Sequence, residues 1–372
     1  MESLQQDYFD VMYEPLAGSS LSNLLQLLSQ NKFRISIPYI PRFLYALTLS
    51  TIISPFRFKE HYKYHQQIKQ TTISKDPVFI IGHWRSGTTY LHNILSEDAT
   101  FGFCSTFHAT LPGVFLSSEQ TLKPLLSASI PTTRPMDDVA MGPDLPQEEE
   151  YALANITPYG YYNGWCFPKN MSYYNNIVTI HKQPEHIQKK WKETYHYFLQ
   201  KLTLYRNGKQ LLLKNPAHTA RIKTLLELYP NAKFIHIYRN PYHVFYSMKK
   251  FMRIVLPRYC VQNPPHMQQI ENYIFDVYTS LYQSYLSQRS LLSKNQLFEV
   301  SYEQFIKDPL PLVENMYHQL ELTYNTETIN RFNTYIKAQQ KFKTSKYDIN
   351  ANMKKRIYNH WRFAFEAFNY DQ

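Results

Sequence analysis

The chain has 372 residues, 44% of them hydrophobic, and a formal net charge of +11. That length suits one large α/β domain with helical extensions, or two domains, and that apolar content excludes disorder by composition. The positive excess favours polyanionic partners such as a nucleotide, a nucleic acid or an anionic lipid surface, without choosing among them.

Residues 1–75 read as a helical N-terminal extension. The opening MESLQQDYFDVMYE is acidic and polar, and it lacks the basic start and apolar run of a signal peptide. The apolar stretch at 37–56 is broken by Pro38, Pro41, Arg42 and Pro55 and falls short of a membrane span. It reads as one helix over about 41–53 packed on the main domain, or as a segment lying on a membrane surface. The cysteines Cys104, Cys166 and Cys260 are odd in number and far apart. They argue against a disulfide framework or a zinc site, and they fit free thiols in a reducing cytoplasm.

After Pro77 the texture changes. Val78, Phe79, Ile80 and Ile81 form an apolar run that meets Gly82, the pattern of a buried parallel strand. Thr88–Leu95 follows as a helix with Leu91, Ile94 and Leu95 on one face. The stretch near 104–175 is rich in Pro, Gly and aromatics and suits an irregular substrate-binding insertion. Ile187, Trp191, Tyr195, Phe198 and Leu202 fall at helical spacing over 186–202. A strand is expected at 211–213, then a helix opened by Asn215-Pro216 and running through 229. A further strand at Lys233–Tyr238 leads into a helix to about 252. A long amphipathic helix at 268–292, a strand at 297–300 and a helix at 309–320 complete a core spanning 76–325. The remainder, 326–372, is a helical C-terminal part of the same domain, with helices over 327–342 and 352–368. Strands alternating with helices imply an α/β fold: a P-loop-like parallel sheet flanked by helices, with helical N- and C-terminal extensions. Sites in such sheets lie at the carboxyl ends of the strands, here after Ile81, Leu213 and Tyr238.

At the first strand end, Gly82-His83-Trp84-Arg85-Ser86-Gly87-Thr88-Thr89 has the frame of a phosphate loop that turns backbone N–H groups toward an anion. A nucleoside triphosphatase places Lys after the second glycine, where this chain has Thr88, and the cation stands inside the loop as Arg85. No Asp ends a neighbouring strand to hold magnesium, so the loop reads as a phosphate site that needs no metal. At the third end, Asn240 caps a helix that Pro241 starts, which puts Arg239 beside exposed N–H groups, where it could clamp a second phosphate. Ser247 lies further along that helix. At the second end, Lys214-Asn215-Pro216-Ala217-His218 repeats the device. A neutral His218 in the first helical turn could take a proton, or it could simply cap and pack locally. Lys214 could stabilise charge on a transferring group.

Together the three ends resemble the superfamily of sulfotransferases that use 3′-phosphoadenosine-5′-phosphosulfate (PAPS), most closely bacterial enzymes related to the tyrosylprotein sulfotransferases. The likeness covers about 77–320 and weakens toward 370. Arg85, Ser86, Gly87, Thr88 and Thr89 resemble the 5′-phosphosulfate loop. Tyr238-Arg239-Asn240-Pro241 with Ser247 resembles the 3′-phosphate motif. Lys214 to His218 is similar to the family's KxPxH segment. Ser301-Tyr302-Glu303 with Asp308-Pro309 resembles its SYE…DP element, whose tyrosine sits near adenine, and Tyr90 holds the place of an aromatic that stacks on adenine. The resemblance implies that Arg85 and the loop grip the 5′-phosphosulfate, that Arg239 and Ser247 bind the 3′-phosphate, and that Lys214 and Arg85 stabilise the bridging oxygen as a base deprotonates the acceptor. The base candidates, in order, are His218, then His108, in the stretch where tyrosylprotein enzymes carry a glutamate, then Glu150. Glu150 belongs to the acidic cluster Gln147-Glu148-Glu149-Glu150, which also reads as a solvated helix start.

The expected function is therefore transfer of a sulfuryl group from PAPS to a hydroxyl of a small or lipid-like acceptor, with no metal and no nucleic-acid partner. Phe101, Phe103, Phe107, Phe115, Tyr159, Tyr161, Tyr162, Trp165 and Phe167 could line an apolar pocket for a sterol or phenol, or could equally be core. A magnesium-dependent P-loop kinase lacks its lysine and acidic strand end here. A nucleic-acid module lacks a recognition motif. The oligomeric state is not legible.

Overall fold

Val78–Ile81 are buried on both sides and form strand β1. A short edge strand, β2 (Phe101–Phe103), precedes β3 (Gln210–Lys214), β4 (Lys233–Tyr238) and β5 (Leu297–Ser301). In this computed structural model, which describes residues 4, 8, 10–12, 14–137, 139–339 and 349–372, the strands make one sheet in the order β2-β3-β1-β4-β5, with every pairing parallel. Alternate side chains enter opposite layers. Val78, Ile80, Leu212, Ile235 and Val300 share a core with the helices Thr88–Leu95, Pro309–Gln319 and Thr326–Gln339. On the other face Phe79 packs on Phe234 with ring centroids 5.5 Å apart, and His236 lies against Tyr285 and Phe368, from the helices Met267–Gln288 and Ala351–Phe368. The expected α/β fold, a parallel sheet flanked by helices, is what the chain adopts.

The chain divides into two compact units. One comprises Met1–Ile73, Cys104–Gly208 and Lys250–Tyr273, and the other Ser74–Phe103, Lys209–Lys249 and Ile274–Gln372. The sheet belongs to the second. The first is helical: its longest helix, Ile40–Gln70, and the helix Leu21–Gln30 share a core of Leu24, Leu27, Phe43 and Ala46 with Phe167 and Tyr174. Among the described residues no helix is long and apolar enough to cross a membrane.

Several expected boundaries move, for local reasons. The helix expected to stop near 53 runs through Pro55 to Gln70. Pro55 is exposed, so the carbonyl it leaves unbonded, on exposed Thr51, can meet water. The Arg57 guanidinium bonds the Ser50, Gly18 and Ser19 carbonyls and ties the second half of the helix down. The single helix expected over 216–229 is a 3₁₀ turn, Pro216–Ala220, then an α-helix, Ile222–Leu228, with Arg221 between them. β2 has only three residues around a glycine, too short for any pattern to show. The helix expected over 327–342 is seen as Thr326–Gln339, and 340–342 lie outside the described residues.

Candidate functional site

Strand register brings the motif residues to one edge of the sheet. Ile80 pairs with Lys214 and Ile81 with His236, so β1 ends between β3 and β4, where the connections diverge to either side. Tyr238 pairs with Ser301, which places the next residues, Arg239 and Tyr302, side by side. The Arg239 guanidinium carbon stands 4.3 Å from the Tyr302 ring centroid.

The loop from Gly82 to Gly87 closes tightly. A Cβ on Gly82 would lie 2.1 Å from the Ile237 carbonyl oxygen, so the loop can cross the end of β4 only without a side chain there. The Gly82 N–H donates to Thr219 Oγ1 at 2.7 Å. Ser86 does not face outward: its hydroxyl donates to the His83 carbonyl at 2.6 Å and lies 3.0 Å from that of Ile237, bracing the turn from inside. Arg85 has φ +72°, a left-handed conformation that costs a non-glycine residue about 1 kcal/mol. That backbone turn aims its side chain at Ser247, to which Nε donates at 3.0 Å. Its own carbonyl accepts from Arg239 Nη1 at 3.1 Å. Gly87 has φ +96° and opens the helix Thr88–Leu95. Thr89 Oγ1 is 3.4 Å from Lys214 Nζ.

Arg85 thus touches Ser247 and Arg239, and Arg239 touches Tyr302, while Lys214 meets Thr89 on the helix that the same loop opens. Tyr90 is half-buried on the same helix, edge-on to Phe305 at 5.8 Å. Arg239 Nε is buried without a hydrogen-bond partner, a donor that an anion would satisfy. Asn240 caps its helix as expected, accepting from the Tyr242 N–H at 3.0 Å.

The base candidates are each engaged. His218 is fully buried, edge-on to Phe79 at 5.7 Å, with Nδ1 3.4 Å from Arg221 Nη1. Arginine can only donate, so the contact puts the proton of a neutral ring on Nε2. His108 closes a capping box: Nδ1 accepts from the Ser105 N–H at 3.1 Å, and the ring lies against Phe115 and Tyr205. Burial, reinforced by Arg206, Lys201 and Lys123, holds it well below the usual histidine range. Glu150 is fully buried and accepts from the Tyr161 N–H at 2.6 Å. Its neighbours Glu148 and Glu149 meet the Tyr162 and Tyr195 hydroxyls. The acidic cluster starts the helix Glu149–Ile156 but is buried, not solvated as one reading of the sequence had it. His108 and Glu150 belong to the helical unit, His218 and the loop to the sheet unit.

Phe107, Phe115, Tyr161, Tyr162, Trp165 and Phe167 are at most 1% exposed and form interior of the helical unit. A separate cavity of about 450 Å³ in that unit is lined by Arg57, Glu60, Phe198 and Lys201 among others, and by none of the candidate catalytic or PAPS-binding residues.

Sequence reasoning missed three supports. Glu303 accepts from the Asn240 N–H at 3.2 Å and from the Tyr370 hydroxyl at 2.6 Å, so it holds the arginine turn from behind. Its place in Ser301-Tyr302-Glu303 was the only signal. Thr219 carries the Gly82 N–H, and no spacing announces that. His83 is fully buried between Trp84, Tyr278 and Tyr282, with Nδ1 2.8 Å from the Trp84 carbonyl. Burial, partly offset by that backbone bond, lowers it to about 4, so it is neutral near pH 7.

Sheet order and loop define a P-loop-like α/β protein whose first strand end is built around arginine in place of the Walker lysine. The chain belongs to the Sulfotransferase family, whose model matches residues 77–326. It is a sulfotransferase that takes its sulfuryl group from PAPS. It is 27% identical over 358 residues to the omega-hydroxy-beta-dihydromenaquinone-9 sulfotransferase Stf3 of Mycobacterium bovis, a match covering 95% of this chain and 91% of that protein, and equally to Stf3 of Mycobacterium tuberculosis. Its fold is similar to that of sulfotransferase STF9 from Mycobacterium avium, with a TM-score of 0.68 at 15% identity, covering 95% of this chain and 97% of that one. Sulfotransferase STF1 from Mycobacterium tuberculosis gives 0.64 at 20% identity, covering 94% and 92%.

Proposed function

We propose that the chain transfers the sulfuryl group of PAPS to the hydroxyl of a lipid-like alcohol, in the class of sterols, phenols and hydroxylated quinone lipids. The observation that carries the reading is the contact chain from Ser247 through Arg85 to Arg239 and Tyr302, which joins two cationic side chains, a hydroxyl and an aromatic face around one glycine loop. The name of the Stf3 relatives supports the acceptor class, because their acceptor is a hydroxyl-bearing menaquinone. PAPS supplies a sulfuryl group on a good leaving phosphate. Arg85 with Gly87, Thr88 and Thr89 would hold the 5′-phosphosulfate, with Ser86 bracing the loop from inside. Arg239 and Ser247 would hold the 3′-phosphate, and Tyr302 and Tyr90 would flank the adenine. As the acceptor oxygen bonds sulfur and the sulfur–oxygen bond to phosphate breaks, negative charge moves to that bridging oxygen. Lys214 and Arg85 lie on the loop side and would stabilise it without a metal. The acceptor proton goes to a base. His218 ranks first because it shares the β3 end with Lys214, and it would act only after Arg221 releases Nδ1. His108 and Glu150 follow. A cytoplasmic location fits three unpaired thiols.

Thermal stabilisation by 3′,5′-adenosine bisphosphate but not by ATP with magnesium tests the donor site. Stabilisation by ATP with magnesium alone overturns it. His218→Ala is expected to nearly abolish turnover while retaining bisphosphate binding. Near-normal turnover would move the base to His108 or Glu150. Radiolabelled PAPS offered with sterols, phenols, sugars and peptides identifies the acceptor class, and transfer to sugars or peptides alone would refute the lipid-like reading.

A further inference from the structure

The helix Ile40–Gln70 and the turn before it carry an apolar face that none of the described residues covers. Ile37, Ile40, Leu44, Ile52, Phe58 and Tyr62 are between 41 and 86% exposed. At about 100° per residue, Ile37, Ile40, Leu44, Phe58 and Tyr62 fall within roughly 60° of one another, so they form a stripe and not scattered single residues. Thr48, Thr51 and Pro55, which lie between them on that side, are exposed and uncharged. The helix has 31 residues, so the stripe runs for roughly 35–40 Å at 1.5 Å per residue.

The cause is visible on the opposite face, where the polar groups of this helix are spent inward. Arg42 is buried and donates to the Pro257 and Cys260 carbonyls, Ser50 donates to the Ser19 carbonyl, and Glu60 is paired with Lys201. An ordinary surface helix has the reverse arrangement. From Ile37 to Phe58 the outward side carries no exposed charge. Charge resumes at its two ends and is of one sign. Lys32 and Arg34 are exposed before the stripe, and Lys59, Lys63 and Lys69 along its far end. Glu60 is the only acidic residue from Lys32 to Lys69, and it is buried.

We infer that this face is a membrane-docking surface for an anionic lipid bilayer. An apolar stripe with aromatic members, flanked by lysine and arginine, lies in the plane of an interface with its apolar side among the acyl chains and its cations at the headgroups. Phe33, exposed beside Lys32 and Arg34, and Phe58 and Tyr62 beside Lys59 and Lys63, put large rings at the depth where lysine stems reach outward to phosphate. A second copy of this chain would bring the same basic ends together and repel itself, which favours the bilayer over self-association. The surface lies wholly in the helical unit and does not rest on the sulfuryl-transfer reading.

The test is co-sedimentation of the full chain with vesicles of phosphatidylglycerol and phosphatidylcholine, and with phosphatidylcholine alone, without PAPS or acceptor. The wild-type chain is expected to sediment with the anionic vesicles and to be released by salt. Ile40→Glu/Phe58→Glu should lower the partition coefficient at least about tenfold. Lys59→Gln/Lys63→Gln should lower it about tenfold or more on anionic vesicles and little on neutral ones. The side chains are exposed, so circular dichroism and 3′,5′-adenosine bisphosphate binding should match wild type, and retained nucleotide binding with lost vesicle binding separates this surface from the catalytic site. A wild-type chain that stays in the supernatant at low salt, or an I40E/F58E variant that partitions like wild type, overturns the proposal. So does a wild-type dimer that I40E/F58E converts to monomer, since the stripe would then serve a second copy.

Discussion

Gly87→Ala isolates the contact that seats Tyr302 on the phosphate loop. A Cβ at position 87 would lie 2.4 Å from Tyr302 Cδ2, 2.9 Å from Cε2 and 3.3 Å from Ile237 Cδ1. The ring would have to retreat by about 1 Å to restore ordinary contact. It cannot do so freely, because the Arg239 guanidinium is 4.3 Å from its centroid and the Ser301 side chain fixes its backbone by accepting from the Gln304 N–H. The clash costs about 1–3 kcal/mol as overpacking, and the φ of +96° adds about 1 kcal/mol once a Cβ is present. Gly87→Ala should therefore lose about 2–4 kcal/mol in urea unfolding, and bind 3′,5′-adenosine bisphosphate at least about tenfold more weakly in titration calorimetry. Tyr302→Ala removes the ring that Cβ meets. In the double variant the clash with the ring is gone and mainly the backbone strain of Gly87→Ala remains, so its loss should fall short of the sum of the two single losses by about 1 kcal/mol or more. Additivity within about 0.5 kcal/mol, or a Gly87→Ala protein that binds and unfolds like wild type, would refute the packing of Tyr302 on this loop.

Acid should act on the loop through His83. Its folded value is about 4 against an ordinary 6.5, so between those limits the unfolded chain binds the extra proton. Its contribution is complete above pH 6.5 and is lost as pH falls toward 4, a change of about 3 kcal/mol by linkage. Urea unfolding from pH 7 to 4 should show a shallower decline in His83→Gln by that amount, and parallel curves would refute it. In the helical unit, Lys201 and Glu60 are both buried, and Glu60 also accepts from the Leu116 and Ser117 N–H groups at 2.7 and 3.0 Å. Lys201→Met leaves that carboxylate buried without its cation and should cost about 3–5 kcal/mol in denaturant unfolding, partly restored by adding Glu60→Gln. A loss under about 1 kcal/mol would show that the pair is not needed.

Much of the sheet was legible because its signals are local. Val78–Ile81 and Lys233–Tyr238 are apolar runs bounded by a glycine and by Arg239-Asn240-Pro241, and both strands begin and end where those boundaries fall. The glycine loop, the Asn-Pro helix starts and the parallel alternation of elements are likewise properties of a few adjacent residues. They were enough to define a phosphate-loop fold without the Walker lysine. What the sequence could not decide depends on partners distant in the chain. Ser86 reads as a loop hydroxyl free to meet an anion, and it turns inward because the Ile237 carbonyl, 151 residues away, lies 3.0 Å from it. Three adjacent glutamates read as a solvated helix start, and they are buried because Tyr161, Tyr162 and Tyr195 supply donors there. Pro55 reads as a helix end, and the helix continues because Arg57 finds the carbonyls of Gly18 and Ser19. Burial of a polar group is affordable only when its hydrogen bonds are met, and those partners come from the tertiary fold alone. Residue order therefore determined the loop and the strand ends, while tertiary contact decided which of their side chains face inward to brace the turn and which remain to meet a ligand.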